Sequence, residues 1–152
     1  SISMDIPSGE SVKKVIGHEF PGGEYLIAHW ENFLLTECTG AQALPDGMAH
    51  PVALFHVPFL GANTSIGEMF ELGQASSEFS IGIESYEWEF FKPLMEEELY
   101  QISGSILEVE RIDNEDGLFD RIKFQFDIRQ DRRDIARSTI IWHYNRGRYD
   151  RS

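Results

Sequence analysis

Met48 to Gly73, MAHPVALFHVPFLGANTSIGEMFELG, is the one long, mostly apolar stretch of this chain, and any fold has to cover it. Pro51 suits a first helical turn, where its missing N–H costs nothing, and Gly73 suits a C-terminal stop. Leu54, Val57, Phe59 and Leu60 are too densely apolar for a single amphipathic stripe. The stretch therefore predicts a helix buried on most sides, with an interruption near Pro58 and Gly61. A helix of that kind needs a sheet wrapped around it.

The sheet is legible in the back half, where the period changes from helical to two. Phe79, Ile81 and Ile83 alternate, and Trp88, Phe90 and Phe91 extend an aromatic strand that Pro93 ends. Leu99 to Ile112 reads as a long strand with Gly104 as its expected bulge. Asp113 to Gly117, DNEDG, has the residues of a hairpin connection. From Phe119 to Ile128 the alternation is clean: Ile122, Phe124, Phe126 and Ile128 share one face, and Arg121, Lys123, Gln125 and Asp127 the other. After a polar turn at Gln130 to Asp134, Ile135 to Tyr144 closes the set.

The front third is mixed. Ser1 to Glu10 reads as a lead-in, and Val12 to Ile27 as a short strand, a Pro21-Gly22-Gly23 turn and another short extended piece. Trp30, Phe33 and Leu34 fall at i, i+3 and i+4, which predicts a helix over 29–39 that Gly40 stops. Pro45-Asp46-Gly47 is a turn leading into the apolar stretch. The sum is an α+β fold, a single domain over 11–146 in which a curved antiparallel sheet wraps one long central helix. Residues 147–152 form a tail.

Composition narrows the function classes. With 152 residues there is enough chain for one domain with a real core. A net charge of −13 argues against nucleic acid, because phosphate binding depends on Lys and Arg. The basic residues are uneven, however: Arg129, Arg132, Arg133, Arg137, Arg146, Arg148 and Arg151 all lie near the C-terminus, which leaves open a local anion site or a solvated strand end and tail. The single cysteine, Cys38, rules out an internal disulfide framework and a cysteine-built zinc site, so a cytoplasmic location is expected. No signal-like start or membrane-length apolar run is present. Nor is there a phosphate loop, a Gly-x-Ser-x-Gly elbow or a metal-spaced His or Cys pair, and no cofactor is implied.

Several phrases resemble one known family. VIGHEFPGGEYLIAHWENFLLTECTG is similar to the start of MaoC-like dehydratase domains, GMAHPVALF to the phrase with which they enter their central helix, and IARSTIIWHYNRG to their closing strand. YEWEFFKPLMEEELYQISGSILEVERI resembles their middle strand pair, with the family's Gly-Asp replaced by Glu-Glu. The resemblance spans nearly the whole chain. It implies the hot-dog fold and binding of an acyl thioester on coenzyme A or acyl carrier protein. It also implies a dimer of two copies or of two different hot-dog subunits.

In active members of that family an Asp and a His add or remove water across an α,β-unsaturated thioester, from a D-x-N-P-x-H loop ahead of the central helix. Here that loop is short: TECTGAQALPDGMAHP carries neither Asn-Pro nor a following His. Asp46 and His50 are the nearest substitutes and the expected acid/base pair. Asp46 also reads as a plain turn residue, and His50 as a non-catalytic neighbour of the helix start. His56, Phe55, Phe59 and Trp88 are expected to line the substrate slot, although a place in the core would account equally for His56 and for the aromatics. His18 in GHEFP is similar to a histidine of bacterial acyl-carrier-protein dehydratases but comes too early in the chain and reads as a turn residue.

Three readings follow: an active hydratase or dehydratase, a non-catalytic hot-dog subunit paired with a catalytic partner, and a thioesterase. The shortened loop favours the second, and nothing matches the Asp-x-x-x-His-Val-Asn phrase of the third.

Overall fold

The computed structural model describes residues 6–26, 28 and 61–147. Among the described residues two short helices, α1 (Gly9–Lys13) and α2 (Ile66–Leu72), accompany five strands: β1 (Gly23–Leu26), β2 (Ile81–Phe90), β3 (Leu99–Asn114), β4 (Gly117–Gln130) and β5 (Arg133–Asn145). The strands form one antiparallel sheet in the order β1-β3-β4-β5-β2. The two long hairpins sit in the middle, and β2, earlier in the chain, returns to an outer edge.

Alternation along β4 sets the two faces. Ile122, Phe124, Phe126 and Ile128 are fully buried, whereas Arg121, Lys123, Gln125 and Asp127 between them are half-buried on the outer face. Ile106, Ile140, Trp142 and Tyr144 continue the inner layer. Phe20 closes it from the front segment, stacked on Phe126 with ring centroids 5.5 Å apart. Burying side chains of this size against one another is the main source of the fold's stability.

The turns obey backbone rules. At the β3–β4 hairpin the side chain of Asn114 accepts from the Asp116 N–H at 2.9 Å, and Gly117 takes φ of 131°. At the β4–β5 hairpin Asp131 and Arg132 both have positive φ, 50° and 64°, the handedness that matches the twist of the flanking strands.

Of the apolar stretch, 61–73 is described, and 48–60 lies outside the described residues. Gly61 has helical backbone, a break follows with Asn63 at φ 56°, and Ser65 starts α2 by accepting from the Glu68 N–H at 3.1 Å. The interruption expected near Gly61 is therefore present, and Gly73 caps α2 as expected. α2 lies against the inner face near the end of β5: the Tyr144 hydroxyl donates to the Met69 carbonyl at 2.6 Å, and Phe70 packs on Trp142. The helix expected over 29–39 and the turn at Pro45-Asp46-Gly47 fall outside the described residues.

Three local expectations are corrected. Val12 to Ile16 is not a strand. Ser8 accepts from the Ser11 N–H, α1 starts there, and Val12 is the buried residue of that turn. Gly104 is not the bulge in β3. It pairs in register with Phe126, and the irregularity falls between Ile106 and Glu108. A Cβ on Gly104 would stand 2.4 Å from the Phe126 ring, so close approach explains this glycine. Phe79 precedes β2 in a 3-10 turn, Glu78–Ser80, instead of opening the strand.

Candidate functional site

Trp88, expected to line a substrate slot, lies on the inner face of β2 beside its neighbour β5. Tyr86, Trp88 and Phe90 alternate along β2 and stand opposite Ile140, Ser138 and Ala136. Trp88 and Phe90 stack at 5.5 Å with their planes 10° apart, and Trp88 packs half-buried against the core. The Trp142 indole donates to the Tyr86 hydroxyl at 3.3 Å. Large flat rings on the edge strand thus face two small side chains on the next strand. Ser138 is 1% exposed, and its hydroxyl has no hydrogen-bond partner.

Trp88 is the one predicted slot residue in this region. Asp46, His50, Phe55, His56 and Phe59 lie outside the described residues. His18 follows the turn after α1: it is exposed, its ring meets the edge of Phe20 at 5.3 Å, and its carbonyl accepts from the Ile106 N–H.

A different histidine and carboxylate meet on the outer face. The register shift between Ile83 and Ser85 falls at Glu84, whose carboxylate accepts from Arg121 Nε at 2.8 Å and Nη2 at 2.7 Å. His143 Nε2 lies 2.7 Å from the same carboxylate, and Phe119 stacks on the imidazole at 4.3 Å. The hydrogen bonds from Arg121, then those from His143, hold the Glu84 carboxyl down at about 2. A carboxylate so strongly stabilised as an anion is a poor general base near neutral pH. Glu84, Arg121 and His143 thus form a hydrogen-bonded cluster, with an Arg121–Glu84 ion pair at its centre, on the face opposite Trp88. Sequence reading missed it because its residues are far apart in the chain and only the bulge brings them together.

Three of the five C-terminal arginines among the described residues are held in internal pairs. Arg129 meets Asp134 at 2.9 Å, Arg137 meets Asp127 at 2.9 Å, and Arg146 meets Asp120 at 2.8 Å. Arg148 and Arg151 lie outside the described residues. Among the described residues no group of His, Cys, Asp and Glu is placed to hold a metal ion, and no helix is long and apolar enough to cross a membrane.

No protein-family model and no curated protein matches the chain. Solved structures do. One is the ChsH1–ChsH2 complex of Mycobacterium tuberculosis, with a TM-score of 0.69 and 12% identity over 95% of this chain and 92% of that one. Another is the C-terminally truncated HadBC (3R)-hydroxyacyl-ACP dehydratase complex of the same organism, with a TM-score of 0.61 and 10% identity over 85% and 96% of the two chains. A predicted thioesterase of Bacillus stearothermophilus matches with a TM-score of 0.50 and 15% identity over 84% and 79%.

The chain has the hot-dog fold. Identities this low carry the architecture and nothing finer. Within this hot-dog domain β2 is the long edge strand, and its inner face holds Trp88.

Proposed function

We propose that this hot-dog chain binds an acyl thioester, on coenzyme A or acyl carrier protein, and adds water to or removes it from an enoyl group in the manner of MaoC-like hydratases. The observation that carries the reading is the inner face of β2 and β5, where stacked Trp88 and Phe90 stand beside the small Ser138 and Ala136. Such a wall suits a narrow apolar chain with an oxygen along it, since apolar surface binds the chain and one hydroxyl can meet a polar atom. Asp46 and His50 supply the acid/base pair, where the chain enters the apolar stretch, the part of the sequence in which active members of the resembled family carry theirs. Two of the similar solved structures are named complexes of two subunits, which supports a second hot-dog subunit as partner.

A second reading is favoured by a specific observation. The loop that carries the acid/base pair in active relatives is shortened here, and the histidine–carboxylate pair found among the described residues, His143 with Glu84, faces away from Trp88. In that reading the chain shapes the slot and the partner performs the chemistry. A hydration assay of the purified protein on crotonyl-CoA and a longer enoyl-CoA, followed by loss of ultraviolet absorbance of the conjugated double bond, separates the two. Turnover supports the enzyme. A folded protein that binds acyl-CoA without turnover supports the non-catalytic subunit, and absence of both binding and turnover removes the thioester reading.

A further inference from the structure

β2 combines an open backbone edge, exposed apolar side chains and an acidic outer row. It is ten residues long and, among the described residues, pairs on one side only, with β5. β1, at the other end of the sheet, is four residues long and so offers little to pair with. Around β2, Phe79 is 89% exposed, Ile83 65%, and Phe90 and Phe91 each 48%. A long strand paired on one side among the described residues, with exposed apolar neighbours, is a template for another strand.

The outer row of β2 says which strand. Its charged positions are Glu84, Glu87 and Glu89. Glu84 is neutralised by Arg121 and lies within hydrogen-bond distance of His143. Glu89, by contrast, is 62% exposed and reaches Arg137 only at 3.8 Å, and Glu87 is exposed. Antiparallel pairing keeps residues of one face together, so two copies related by a two-fold axis would match outer row to outer row. Registers centred on Tyr86, Glu87 or Trp88 set Glu87 diagonally or directly against a glutamate of the other copy. Like charges opposite one another in a sheet are destabilising, and two chains of net charge −13 also repel on approach.

We propose that the β2 edge selects a second hot-dog subunit of different sequence, one whose edge strand is apolar on the inner face and carries Lys or Arg on the outer, in preference to a second copy of this chain. The inference rests on the reading of the chain as one subunit of a hot-dog assembly, and not on what that assembly binds. Backbone pairing and the exposed aromatics supply attraction for any strand. The glutamates make the choice among strands.

A charge-reversed copy serves as a surrogate partner. Glu87→Lys/Glu89→Lys changes two exposed side chains, with Glu87→Lys alone as a milder version, and circular dichroism checks that each variant is folded. Sedimentation of each protein alone and of equimolar mixtures is then measured at low and high salt. The expected result is that wild type and variant are each mainly monomeric at low salt, while the mixture dimerises roughly tenfold more tightly than either alone, as a swap of like for opposite charges predicts. That advantage fades in high salt, because screening acts on exposed charges. A wild-type dimer with the same dissociation constant at both salt levels, or a mixture that associates no better than either component, overturns the proposal. Association is the readout, so failure here leaves acyl-CoA binding and turnover untouched, and their failure leaves this test intact.

Discussion

Arg146 and Asp120 meet inside the protein: Arg146 Nε donates to Asp120 Oδ2 at 2.8 Å, with the two side chains 2% and 0% exposed. The same carboxylate accepts from Arg111 Nε at 2.9 Å and Nη2 at 2.8 Å. Arg146 also donates to the Gln74 and Gly73 carbonyls at 2.6 and 2.5 Å, capping the end of α2, and Arg111 donates to the Pro7 carbonyl at 2.7 Å. One carboxylate thereby ties β3, β4, the end of β5, α2 and the segment before α1 into a single body.

Removing that carboxylate leaves a buried guanidinium without its anion. Asp120→Ala is expected to lower unfolding stability by about 3–5 kcal/mol, the range for breaking a buried ion pair from one side. Arg111→Ala should cost less, because its side chain is 22% exposed and water can replace part of what is lost. Urea unfolding of the two variants gives the ranking.

Glu84 makes stability depend on pH in a stated direction. Its carboxyl titrates at about 2 when folded against an ordinary 4.5, so unfolding raises its affinity for protons. The stabilisation is fully present above about pH 4.5 and is lost as pH falls towards about 2. The stability gap between wild type and Glu84→Gln, followed by chemical unfolding at a series of pH values, should be widest above the upper limit and close near the lower one. A gap that stays constant across that window contradicts the ion-pair assignment.

Gly104 and Gly82 predict opposite outcomes for the same substitution. A methyl on Gly104 would fall 2.4 Å from the Phe126 ring and 3.1 Å from Phe20, two buried rings of the inner layer. Gly104→Ala should cost about 1–3 kcal/mol, as overpacking does. On Gly82 the nearest atom is the His143 Cβ at 3.7 Å, an ordinary contact, and Gly82→Ala should stay within about 0.5 kcal/mol of wild type. Thermal melts of both variants make the comparison.

His50→Ala tests the acid/base assignment. On the hydratase reading it abolishes turnover of crotonyl-CoA while circular dichroism and acyl-CoA binding are retained. Turnover at the wild-type rate takes His50 out of the mechanism.

Much of the sheet was legible because period-two alternation is a local property. Phe119 to Ile128 could bury only one of its faces, and β4 buries that one. DNEDG and Gln130 to Asp134 turned the chain where turn residues said it would. The errors fell where packing overrides pattern. Gly104 has the residue type of a bulge, yet its reason is the ring of Phe126 across the strand pair. Val15 and Ile16 have strand propensity, yet Ser8 caps a helix ahead of them. Trp88 was legible as an aromatic on a strand. Its stacking on Phe90 beside the unpartnered Ser138 hydroxyl was not, because Ser138 reaches β2 only through strand pairing.

By itself the sequence determined the faces of the long strands, the hairpin turns, the acidic balance and the cap at Gly73, all of which depend on neighbours a few positions away. Tertiary structure alone decided the placement of β2 at the edge, the bulge that turns Glu84 towards Arg121 and His143, and the gathering of Arg111 and Arg146 around Asp120. Each of these depends on groups distant in the chain, whose charges and rings meet only after the sheet has closed its register.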